Sequence, residues 1–70
     1  MEVVVGTLTR PDGLERILVV KRADGLASYR RQFIDAVSGR WGPPGPELGL
    51  YDTIETAEIE ARSRVWWLAT

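Results

Sequence analysis

The residues able to move protons or attack as nucleophiles are few. The sequence has no His and no Cys, so the commonest general base and the strongest side-chain nucleophile are both missing. The usual Cys/His zinc ligands are missing with them. Ser28, Ser38 and Ser63 have no activating base beside them in sequence. Lys21, the only lysine, lies among apolar strand residues. Burial there could depress its pKa, but a lysine near a strand end ordinarily snorkels to water. Glu58 and Glu60 point to different sides of a helix, which suits solvated charges and not an acid–base pair. Gly42-Pro43-Pro44-Gly45 is glycine-rich without matching a phosphate-cradling loop. The expectation is a chain that is not an enzyme, with no catalytic residue, metal or cofactor.

Binding chemistry is better supplied. Six basic residues (Arg16, Lys21, Arg22, Arg30, Arg31 and Arg40) stand against Asp24 and Asp35 over residues 16–41, while residues 42–60 carry only acids. Arginines interleaved with aromatic residues on a sheet can stack and pair with single-stranded nucleic acid. Lys21, Arg30, Arg31, Arg40 and Trp41 are the candidate residues for that surface. The opposing reading pairs the basic sheet with the acidic helix, and the net charge of −1 favours it. Arg40-x-x-Pro43-x-x-Pro46 fits the basic-then-PxxP pattern of polyproline ligands. A pattern so short arises often by chance, and a rigid loop with Trp41 packed on the domain explains it as well. Trp66 and Trp67 are adjacent, so on a helix they diverge by about 100° and cannot both enter one core. One can cap the core while the other anchors a partner.

These groups need elements to position them. A chain of 70 residues is one small domain, here taken as residues 1–70, with a modest core and no disulfide to support it. Hydrophobic residues at 44% and charged residues at 27% argue against disorder. No apolar run approaches the roughly 20 residues that span a bilayer. Met1-Glu2-Val3-Val4-Val5-Gly6 lacks the basic start of a signal peptide. The expectation is a cytoplasmic protein with no membrane partner.

Residues 3–9 are rich in β-branched types and read as a strand. Arg10-Pro11-Asp12-Gly13 reads as a turn, and residues 15–22 as a second strand, apolar on both faces at Ile17-Leu18-Val19-Val20. Asp24-Gly25 is the next turn signal. Residues 28–38 fit a helical stripe or a strand; the strand is preferred over 28–35 because it follows an Asp-Gly turn directly. Residues 39–46 hold three prolines and form a stiff extended connection. Leu48 to Tyr51 can add a short edge strand. The last element is a helix, with Asp52 as cap and Glu55 three residues on. Ile54, Ala57, Ala61, Val65 and Leu68 form its apolar face, with Glu58–Arg62 and Glu60–Arg64 as i,i+4 pairs. The fold class is α+β: a three-stranded antiparallel meander, with a short fourth strand allowed, and one C-terminal helix on one face.

In the simplest registers Val4, Gly6, Leu8, Leu18, Val20, Tyr29 and Phe33 share the face under the helix, with Gly6 opposite Ala57 and Ala61. The other face then holds Val3, Val5, Ile17, Val19 and Ile34 with no cover. Contiguous apolar patches of that kind mark interfaces. With Ile59 and Trp66, which lie off the helix stripe, they are the candidate interface residues. The expected role is a non-catalytic interaction module, a homodimer or a subunit bound to an unidentified protein. The alternative is that the Pro-rich loop folds Trp41 over the open face.

Lys21-Arg22-Ala23-Asp24-Gly25, Trp41-Gly42-Pro43-Pro44 and the stretch from Tyr51-Asp52-Thr53 through Arg64-Val65-Trp66-Trp67-Leu68 resemble a family of small uncharacterised proteobacterial proteins, a domain of unknown function. The resemblance covers about residues 21–68, and the helix carries most of it. In that pattern a Pro often precedes the final Trp. Trp66 stands there in this chain, which implies a helix one turn longer. The resemblance supports the strand after Asp24-Gly25 and implies no activity, substrate or cofactor.

Overall fold

The computed structural model describes residues 2–68. Four strands run in the order β1 (Val3–Thr9), β2 (Glu15–Lys21), β3 (Ala27–Phe33) and β4 (Leu48–Tyr51), each antiparallel to the next. One helix, α1 (Ile54–Arg64), follows and packs against β2, β3 and β4. The result is the expected α+β meander with its short fourth strand. Arg10 N–H bonds to Glu15 O at 2.9 Å and Gly13 N–H to Arg10 O at 2.8 Å, closing the first hairpin with Gly13 in the left-handed region.

Tyr29, Gly6 and Leu8 lie on the helix side as expected, but β2 presents Ile17 and Val19 there in place of Leu18 and Val20. Ile17, Val19, Ala27 and Tyr29 are buried with Ala57, Ala61, Val65 and Trp67 in one cluster. The cause is the second turn. Had Asp24-Gly25 alone made the bend, Val20 would face Tyr29. Instead Arg22 N–H bonds to Leu26 O, so three residues make the turn. Val19 therefore faces Tyr29, and Val20 faces Ser28. A slip of one residue moves every side chain of a strand to the other face. A bulge between Val4 and Gly6 makes a second shift, in β1. It puts Val4, and not Val5, opposite Val20; Gly6 pairs with Val19 in step with Thr7–Leu18 and Leu8–Ile17, with no helix residue within 4 Å of where a Cβ would stand.

The far face is closed as well, by polar side chains and the Pro-rich segment. Leu18, Val20, Ser28 and Gln32 are buried there. Arg30, directly opposite Leu18, reaches Glu2 at 2.9 Å on one side and Gly45 O at 2.8 Å on the other. Arg16 stacks over the Trp41 ring at 4.1 Å and donates to Gln32 at 2.6 Å. Ser28 donates to Glu47, which also pairs with Arg22. The segment itself runs along β3: Gly42 N–H bonds to Phe33 O at 2.9 Å and Gly45 N–H to Arg31 O at 2.7 Å. A Cβ on Gly45 would stand 3.1 Å from Arg31 O, so the close approach favours glycine.

At the helix start Thr53, and not Asp52, is the cap; its hydroxyl accepts the Thr56 N–H at 3.1 Å. Arg62 and Arg64 make their i,i+4 pairs with Glu58 and Glu60 at 3.0 and 3.2 Å. The helix ends at Arg64, with Val65 extended and Leu68 N–H bonded back to Val65 O. No helix among the described residues is long and apolar enough to cross a membrane.

Candidate functional site

The candidate interface residues do not form one surface. Ile17 and Val19 are dry beneath the helix, 0% and 1% exposed. They cannot meet a partner, because the three-residue turn placed them with Tyr29 on the covered side. Ile34 is half-buried and bridges to Trp41. Ile59 and Trp66 are exposed, on α1 and in the turn beyond it. Val3 and Val5 are exposed too, but on an edge and not on an open sheet face.

The candidate nucleic-acid residues are also divided. Arg30 lies on the far face, engaged by Glu2 and Gly45. Arg31, on the helix face, is held at 2.6 Å by Glu15. Trp41 lies under Arg16 and is half-buried. Lys21 and Arg40 are exposed at separate positions, the end of β2 and the turn before Trp41. The arginines pair largely with the chain's own acids, so these five residues offer no continuous stacking platform.

What the fold does leave open is β1. It is the first strand of a meander and, among the described residues, has a strand neighbour, β2, on one side only. Val3, Val4 and Val5 are 51%, 51% and 43% exposed in succession. The direction of its backbone groups follows from β2. Ile34 N–H bonds to Leu14 O and Arg22 N–H to Leu26 O, so the even-numbered residues of β2 bond to β3. Val4, Thr7 and Thr9 stand opposite Val20, Leu18 and Arg16. Their own N–H and C=O groups must therefore point away from the sheet. The opposite edge, β4, differs: it has four residues, its pairing to β3 carries an extra residue with Gly49 left-handed, and the Gly42–Gly45 segment ahead of it takes Arg31 O and Phe33 O.

At the far end of β1 the turn adjoins the C-terminal tryptophans. A cleft of about 320 Å³ is lined by Arg10, Pro11, Asp12, Trp66 and Trp67. Trp66 is 70% exposed, whereas Trp67 is buried and donates its indole N–H to Glu15. The pair thus divides into an inner cap and an outer ring. Asp12 accepts from Arg10 Nε at 2.7 Å and from Leu14 N–H at 3.0 Å. The Arg10 guanidinium, then the Leu14 amide, hold its carboxyl below the ordinary range. No family model, curated protein or solved structure matches the chain. Among the described residues no group of His, Cys, Asp and Glu is placed to hold a metal ion.

Sequence reasoning missed the outward-facing residues Val4, Thr7 and Thr9. The signal was present, since the first strand of any meander keeps a free flank. It also missed Glu15. That residue shares its alternation with Ile17 and Val19, which places its carboxylate on the core face; only a donor such as Trp67 makes that position tolerable.

Proposed function

We propose that this domain is a non-catalytic protein-interaction module that docks by accepting a further β-strand along β1. The observation that carries the reading is the contrast between the two edges of the sheet. The β3–β4 side ends in a strand of only four residues, bulged, with Gly49 left-handed and the Pro-rich segment ahead of it, features that blunt an edge. The β1 side presents outward amides and carbonyls at Val4, Thr7 and Thr9 beside three exposed valines. Unpaired edges template strand addition, with main-chain bonds giving affinity and side-chain pockets giving selectivity. The Trp66 cleft at the end of the same strand supports the reading by offering an aromatic contact for what lies beyond the added strand.

The test is a proline placed where only the outer bond is lost. Thr7→Pro removes an outward N–H and leaves the bonds to β2 intact; Leu8→Pro removes an inward one and should unfold the sheet. In wild-type protein, dilution or titration with an alternating Thr-Val peptide should shift the amide resonances of Val4, Thr7 and Thr9. Thr7→Pro should keep the folded spectrum and lose that response. A folded Thr7→Pro protein that responds as wild type does would sink the reading.

A further inference from the structure

We infer that the strand taken up by β1 is β1 of a second copy of this chain, running antiparallel. The inference rests on the edge-docking reading and adds the partner and the register.

Two alternations must both be satisfied. Backbone groups of Val4, Thr7 and Thr9 point outward, and those of Val3, Gly6 and Leu8, opposite Lys21, Val19 and Ile17, point to β2. Side chains divide in the same way. Val4, Thr7 and Thr9 share the face of Leu18 and Val20, while Val3, Gly6 and Leu8 share the helix face of Ile17 and Val19. An antiparallel copy must be related by a two-fold axis normal to the sheet, which sets like face beside like face.

One register meets both conditions over the length of the strand. Val4 pairs with Thr7 of the second copy, outward group to outward group, on the far face. Val3 then lies against Leu8 of the second copy on the helix face, and Glu2 against Thr9. The unmatched residue of β1, at Val5, falls at the two-fold axis in both strands. The two bulges therefore meet, and the pairing on either side of them stays in step. A slip of one residue sets Val3 against Thr9 of the second copy, side chains from opposite faces, and fails. The ends agree as well. Antiparallel pairing brings the Glu2 end of one strand to the Arg10 end of the other, whereas parallel pairing sets Glu2 beside Glu2. The paired edge is short, so the dimer belongs at the weak end of protein interfaces.

The absence of native cysteine makes the register directly readable. Val4→Cys and Thr7→Cys are prepared as separate proteins, both at exposed positions. Residues facing each other in a hydrogen-bonded antiparallel pair lie about 5.5 Å apart at Cα, inside the range a disulfide spans. Under mild oxidation the mixture should give a covalent dimer joining the two variants. Each variant alone should give about tenfold less, and Thr7→Cys carrying Thr9→Pro should not couple to Val4→Cys. The inference is overturned if each variant couples to itself as readily as to the other, or if none couples. If coupling fails while the Thr-Val peptide still shifts Val4, Thr7 and Thr9, the second copy is excluded and the open edge stands. If both fail, the edge-docking reading falls too.

Discussion

The indole N–H of Trp67 donates to Glu15 Oε1 at 3.0 Å, joining residues 52 positions apart in the chain. Arg31 Nε donates to the other oxygen at 2.6 Å, and Arg10 Nη1 approaches the first at 3.4 Å. Glu15 is 1% exposed, so its carboxyl oxygens have these donors in place of water. The carboxylate thereby ties the first turn, β3 and the end of the helix to a single point. The exposed half of the Trp66-Trp67 pair owes its position to this anchor.

Glu15→Ala should cost about 2 to 3 kcal/mol, because it strands a buried indole donor and frees Arg31 together. Glu15→Gln keeps an acceptor for one of them and should cost less. Trp67→Phe, which removes the donor and keeps much of the ring, should overlap with Glu15→Ala. Urea unfolding of the two single variants and the double variant measures this. Strictly additive losses would mean that the bond does not fasten the C-terminal turn.

Trp41 should hold the Pro-rich segment against β3. Its ring lies under the Arg16 guanidinium, and Arg16 is itself fixed by Gln32. Trp41→Ala removes the stacking, worth about 0.5 to 1 kcal/mol at a partly exposed site, and the buried ring area besides. The Gly42 and Gly45 amides, bonded to Phe33 O and Arg31 O, should then exchange with solvent faster. Amides of β2 should be little affected. Unchanged exchange at both glycines would show that the prolines alone fix the segment.

The strands and the helix were legible in the sequence because their patterns are local. Residues 3–9 and 15–21 are β-branched runs between turns, and Ala57, Ala61 and Val65 recur at helical spacing. The faces were not legible, because they hang on a count of turn residues. Ala23-Asp24-Gly25 and Asp24-Gly25 carry the same signal, and only the Arg22–Leu26 bond distinguishes them. The missing cover for the second face was a related error. An arginine such as Arg30 reads as a solvated charge, yet its stem can roof a leucine when its head is held at both sides by Glu2 and Gly45. The open edge of β1 did not depend on that count.

Gly49 should tolerate no side chain. Its φ is +70°, and a Cβ there would overlap the Tyr51 ring. Tyr51 stacks on Tyr29 with centroids 6.4 Å apart and planes inclined by 14°. Gly49 lies in the bulged stretch of β4 opposite β3, where the left-handed conformation lets the strand carry an extra residue. Gly49→Ala should therefore cost about 1 to 3 kcal/mol, from backbone strain and displacement of the tyrosine. Gly13→Ala, equally left-handed but with open space around it, should pay only the backbone part. Equal losses for the two in thermal unfolding would refute the role given to Tyr51.

Tyr29 should make the fold sensitive to alkali. Burial under the helix raises its pKa above the ordinary value of 10.0, since the phenolate is disfavoured away from water. The folded chain thus keeps this proton to a higher pH than the unfolded chain does. Stability from this source is intact below pH 10 and falls as pH rises from there through the folded-state value. At the acid end the sign reverses. Asp24 is held below its ordinary 3.8 by the Leu26 N–H and, after burial's opposing effect, by Arg22. The unfolded chain takes up that proton first, so the contribution is present above pH 3.8 and lost below it. Urea midpoints measured across the pH range should fall at both ends, and Tyr29→Phe should flatten the alkaline limb while leaving the acid limb unchanged. An alkaline limb as steep in Tyr29→Phe as in the wild type would assign the loss to other groups.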